Sequence, residues 1–119
     1  MFTLFYCFFN SKLDSCFELI DEVSTYPPDR YRRDVVMKFN NGFMIQTILI
    51  SYLNSGEEFS VNFKVPFKDG NMIYITQALA GGVNDFPIPF SYLLDSMSGS
   101  MPNMKREASL SIYCAGFWK

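Results

Sequence analysis

Arg30, Tyr31, Arg32 and Arg33 stand together in the only dense basic cluster of the 119-residue chain, flanked by Asp29 and Asp34. An arginine guanidinium presents a planar fork of donors to carboxylates or phosphates, and arginine and tyrosine are both enriched among interface hot spots. The cluster is therefore a candidate grip on an acidic protein surface, set against a solvated loop of local Arg-Asp pairs. Net charge is -2, so one cluster on an acidic domain makes nucleic acid a disfavoured partner. Histidine is absent, which removes Ser-His-Asp and Cys-His catalysis and the commonest zinc ligand. Asp21-Glu22 and Glu57-Glu58 are adjacent carboxylates, and neighbours on a strand point to opposite faces, so both pairs read as solvated surface rather than acid-base machinery. No catalytic, cofactor-binding or metal-binding residue is assigned.

A second constellation is Gln77-Ala78-Leu79-Ala80-Gly81-Gly82. It resembles the Q/R-x-x-G-x-G/A loop with which acetyltransferases of the GNAT type hold the pyrophosphate of coenzyme A, with Ala80 where the first glycine belongs. That resemblance implies a small acyl-CoA-dependent transferase. In that family a helix begins directly after the loop, its N-terminus facing the phosphates; here Asp85-Phe86-Pro87-Ile88-Pro89 intervenes, which favours a turn out of a strand. Cys7, Cys16 and Cys114 form no CxxC pair, and their odd number suggests reduced, buried thiols in a cytoplasmic setting.

The elements that position these residues follow from pattern. Phe2 to Phe9 is apolar on both faces of a strand, which suits a covered position; without a basic flank or a small-residue cleavage site, and too short to span a bilayer, it reads as neither leader nor anchor. Ser11 is placed to cap a helix in which Leu13, Cys16, Phe17, Ile20 and Val23 recur at helical spacing, ending before Pro27-Pro28. Asn41-Gly42, Asn54-Ser55-Gly56 and Asp69-Gly70 then cut the chain into four apolar runs, about 34–40, 43–53, 57–67 and 71–78, an antiparallel meander with positive-φ glycine turns. The third run alternates strictly, with Phe59, Val61, Phe63, Val65 and Phe67 on one face. Pro66 on the other face points to an open edge or bulge. The second run, Phe43 to Leu53, is apolar on both faces and asks for cover on each side. Pro89 suits a short second helix with Phe90, Leu93, Leu94 and Met97 on one face; 98–103 reads as a mobile polar loop, and Ser109 to Trp118 as a last strand that docks the single tryptophan.

These patterns predict one α+β domain over residues 1–119: a meander of about four strands plus N- and C-terminal strands, packed against one amphipathic helix, with a second short helix. The terminal strands are expected to pair. The functional expectation is a small non-enzymatic protein that binds and occludes another protein, of the inhibitor or immunity type or a phage-encoded anti-defence factor, through Arg30, Tyr31, Arg32 and Arg33. It has no cofactor, metal or membrane partner. Two alternatives are the acyl-CoA enzyme using the Gln77 to Gly82 loop and an assembly subunit completed by self-association as a homodimer.

Overall fold

The computed structural model describes residues 2–6, 16–79 and 86–119. Every regular element among them is a strand: β1 (Phe2–Tyr6), β2 (Phe17–Tyr26), β3 (Arg30–Phe39), β4 (Phe43–Leu53), β5 (Glu58–Asn62), β6 (Ile73–Leu79), β7 (Ile88–Tyr92), β8 (Ser96–Ser100) and β9 (Ala108–Phe117). The described residues form an all-β fold, which corrects the α+β expectation. Two antiparallel sheets form, one of six strands in the order β1-β2-β3-β4-β9-β6 and one of three in the order β5-β8-β7.

The helix expected over 11–25 is replaced, in its described part, by β2. Its i, i+3, i+4 pattern is real, but Phe17, Ile20, Val23 and Tyr26 are equally at home in a strand. Pairing with β3 decides: Glu18 lies opposite Lys38, and Ile20 opposite Val36. The second helix is β7, and the loop expected over 98–103 contains the second half of β8, the middle strand of the small sheet. Its small residues are packing rather than mobility. A Cβ on Gly99 would come 2.6 Å from the Ile88 carbonyl oxygen and 2.8 Å from the Phe59 ring.

The four runs after residue 30 are strands as expected, but not a meander. β3 and β4 pair across the Asn41-Gly42 turn, with Gly42 at φ 98°. β5 then leaves for the small sheet, and β6 returns to pair with β9. At the third turn an Asx contact, Asn71 N–H donating to Asp69 Oδ1 at 3.0 Å, does the work expected of a positive-φ glycine. The terminal strands do not pair: β9 sits between β4 and β6, while β1 is an edge strand against β2, not a covered one. Trp118 does dock, its backbone N–H donating to Gly42 O at 2.8 Å and its indole N–H to Phe39 O at 3.2 Å. Of the cysteines, Cys114 is free and buried, whereas Cys16 is disulfide-bonded, contrary to the expectation of reduced thiols. No helix among the described residues is long and apolar enough to cross a membrane.

The core lies between the sheets. Register places Val36, Gln46, Ile48, Ile50, Leu110, Ile112, Cys114, Thr76 and Ala78 on one face of the large sheet, here the inner face, with Phe59, Val61, Phe63, Phe67, Met97 and Met101 packed on it. The alternation of Phe59 to Phe67 survives as burial although the ladder stops at Asn62. Beyond it the backbone finds other partners, as buried peptide groups must. Phe63 N–H and Phe67 N–H donate to Asp95 O and Leu94 O, both at 2.8 Å, and the buried Gln46 side-chain amide donates to Val65 O at 2.6 Å. Pro66, which has no N–H, falls in this strap outside the strand.

The radius of gyration is 15.5 Å, against roughly 13–14 Å for a compact domain of this length. Among the described residues the three-stranded sheet lies on one side of the six-stranded one, and several apolar side chains of the other side are exposed.

Candidate functional site

Strand alternation divides the basic cluster between two faces. Arg30 and Arg32 point inward. Arg30 makes a bidentate pair with Glu57, at 2.7 and 2.8 Å, and Glu57 also accepts from the backbone N–H and side-chain amide of Asn54. Arg30 thus clamps the turn between β4 and β5. Arg32 makes a bidentate pair with Asp34, at 2.8 and 2.9 Å, and donates to Asn62 O at 2.6 Å, fastening the end of β5 to the large sheet. Asp34 is only 1% exposed. Both arginines are therefore committed to internal pairs.

Tyr31 and Arg33 point outward. Arg33 is 48% exposed along its side chain and pairs with Asp21 at 2.6 and 2.9 Å. The hydrogen bonds from Arg33 hold the Asp21 carboxyl below the ordinary carboxylate value, and Asp21 in turn raises the guanidinium. Around this pair the outer face of the large sheet is apolar. Cross-strand rows run Leu19-Met37-Ile45-Ala115-Ile73 and Val23-Arg33-Leu49-Ser111-Gln77, with Val35, Thr47, Tyr113 and Ile75 between them. Val23, Tyr31, Ile73, Ile75, Leu79 and Tyr113 are exposed. An open groove of about 290 Å³ follows these rows, lined by Arg33, Val35, Thr47, Leu49, Leu79 and Tyr113 among others.

Among the described residues that line the groove, the polar groups are hydroxyls of Thr47, Ser111 and Tyr113 and the already paired Arg33, with no carboxylate or thiol. Such a set recognises shape and apolar surface. A second, polar depression of about 300 Å³ lies at the sheet end between Asp29, Arg30, Ser51, Tyr52 and Glu107. Tyr52, at φ 59°, sits there in the β-bulge where the β4–β9 register shifts. No group of three or more His, Cys, Asp or Glu side chains that could hold a metal occurs among the described residues. Gln77 to Leu79 end β6; Ala80, Gly81 and Gly82 of the glycine loop lie outside the described residues, as do Cys7 and the Ser11 to Asp14 helix start.

The sequence pointed to Tyr31 and Arg33 but missed the groove beside them. Its signal was the two-faced apolar pattern of β4, repeated more weakly in β6 and β9, which no single core requires. No known protein family, curated protein or solved structure matches the chain.

Proposed function

We propose that the protein is a binding domain without catalytic function, of the inhibitor or immunity type, that occludes another protein with the outer face of its large sheet. The observation that carries this reading is the apolar groove along β3, β4 and β9, lined by an Arg33 whose charge Asp21 already neutralises, with the exposed Tyr31 two residues away on the same face of β3. Contiguous exposed apolar surface on a folded domain marks an interaction site. Because that surface carries no unbalanced charge, the partner it fits is an uncharged apolar patch of another protein, with the Arg33–Asp21 pair as a polar rim. Arg30 and Arg32 are removed from the contact set by their internal pairs. The disulfide at Cys16 favours an oxidising compartment over the reducing cytoplasm expected from sequence.

The test begins with identifying the protein retained from source-organism extract, then measuring its affinity for purified variants. Leu49→Lys and Tyr31→Ala should each weaken binding at least tenfold, while Ser60→Ala, on an exposed position of β5, leaves it unchanged. Equal affinity for all of them would remove the outer face from consideration.

A further inference from the structure

The strand β6 ends the large sheet and carries none of the devices that keep sheet edges from pairing. Natural edges are blunted by charge, proline, bulges or shortness. In the small sheet both edges are so treated: β7 contains Pro89 and a register shift between Pro89 and Ser91, and β5 is five residues long with Glu58 at its start. β6, Ile73-Tyr74-Ile75-Thr76-Gln77-Ala78-Leu79, has seven residues, no charge, no proline and no glycine. Among the described residues no backbone group outside its ladder with β9 bonds to it. Yet it is firmly placed, with Thr76 and Ala78 buried and the Tyr74 ring 4.0 Å from that of Tyr92 on β7. On the same side of the molecule the stretch 86–94 is also uncharged, and Ile88, Phe90, Leu93 and Leu94 are exposed.

We propose that a second copy of this chain pairs its β6 antiparallel with this one, across a two-fold axis at Thr76. Two observations select a like copy as occupant. Each chain is acidic, and at this side, 73–79 with 86–94, two identical chains meet without setting like charges opposite one another. The strand is also self-complementary about its midpoint. Thr76 meets Thr76 of the copy, Tyr74 meets Ala78 as large against small, Ile73 meets Leu79 and Ile75 meets Gln77, so that Ile73, 66% exposed, gains an apolar partner directly opposite and Ile75, 54% exposed, gains Ile75 and Leu79 of the copy as diagonal neighbours. Opposed residues of an antiparallel pair share a face, so the two outer faces join into one continuous surface. β7, laddered to β8 and carrying Pro89, contributes side chains beneath. β1 at the other end of the sheet offers a ladder of only five residues.

This dimer does not rest on the occlusion proposed above, and its test separates the two. Sedimentation equilibrium of the full chain should show a dimer at tens of micromolar. Ile75→Lys, at an exposed position, should raise the dimer dissociation constant at least a hundredfold with little change in melting temperature, whereas Leu49→Lys should leave it unchanged. In a Cys114→Ala background, Thr76→Cys should form a cross-linked dimer with diamide as oxidant, because opposed residues of an antiparallel pair lie within disulfide reach; Ser60→Cys should not. A wild-type monomer at several hundred micromolar, a dimer that survives Ile75→Lys, or cross-linking no better at residue 76 than at residue 60 overturns the proposal.

Discussion

Asp34 and Asp21 make the same chemical pair with neighbouring arginines of the same hairpin, on opposite faces of the sheet, so replacing each by alanine separates burial from chemistry. Asp34 is buried under the 62–66 strap and Asp21 lies on the open face. In Asp34→Ala the Arg32 guanidinium, itself largely buried, keeps one acceptor, Asn62 O. Breaking a buried pair on one side costs about 3 to 5 kcal/mol, because the remaining charge is left uncompensated. One effect opposes this: Glu22 lies directly across from Asp34, and removing a like-charge neighbour returns roughly 0.2 to 1 kcal/mol. The expected net loss is therefore about 2 to 5 kcal/mol, a large share of a typical stability of about 5 to 15 kcal/mol.

Urea unfolding followed by tryptophan fluorescence reads this directly, since Trp118 is docked on the sheet. With a slope of about 1 to 3 kcal/mol/M, Asp34→Ala should lower the midpoint by about 1 M or more. Asp21→Ala should move it far less. The double change Arg32→Met with Asp34→Leu should recover at least half of the loss, because it removes both charges together. Equal midpoints for the two single variants, or a double variant as unstable as Asp34→Ala, would refute the assignment of Arg32 and Asp34 to the covered face.

Four further outcomes are expected. Phe63→Ala should cost about 3 to 5 kcal/mol, and Asn62→Ala, one residue earlier and exposed, well under about 1, as measured by the same urea titration; comparable costs would mean the stripe is not core. Gly99→Ala should destabilise by at least about 1 kcal/mol, since its Cβ meets a backbone carbonyl as well as a ring, and a melting temperature equal to that of wild type would contradict that close approach. Burial pushes the Cys114 thiol from 9.0 up to about 12 and, with Cys114 and Tyr92 adding to it, the Tyr74 hydroxyl from 10.0 up to about 12. Folded values raised above unfolded ones give stability that is whole below pH 9 and lost as pH climbs toward 12; urea midpoints between pH 8 and 11 should fall accordingly, and Cys114→Ala should abolish the part of the decline that begins near pH 9. Asp21 carries the opposite sign: its lowered value contributes stability above about pH 4 that is lost as pH falls through the folded value, and Asp21→Asn should flatten that acid limb.

What the sequence made legible was local. Four strand runs after residue 30, the Phe59 to Phe67 burial stripe, the docked Trp118 and the last strand were all read from period-2 alternation and turn chemistry. What it hid was decided by long-range pairing. The residues of β2 satisfy a helical period and a strand alternation equally well, and only Lys38 and Val36 across the ladder choose between them. The small residues of β8 look like a loop until Phe59 and Ile88 are found against Gly99. The basic cluster was visible as composition, but its division into two internal and two outward side chains required knowing that β3 runs unbroken through Arg30 to Arg33.

The two-faced strand Phe43 to Leu53 links these results to function. Its inner residues Met44, Ile48 and Ile50 are covered by the small sheet, built from the chain's own residues 58–62 and 88–100. Its outer residues Ile45, Thr47 and Leu49 continue the apolar rows of β9 and β6. The small sheet lies on one side of the large one, so the core is completed there, and among the described residues an apolar face is left exposed on the other side. If β6 pairs with a second copy, that face doubles in width without acquiring a cover, because the two-fold axis sets both outer faces on the same side. Dimer formation and partner occlusion would then reinforce one another: a partner spanning the β6 junction would touch both copies, and its affinity should rise with protein concentration through the dimerisation range. Partner affinity independent of that range would confine the occluding surface to a single copy's β3, β4 and β9.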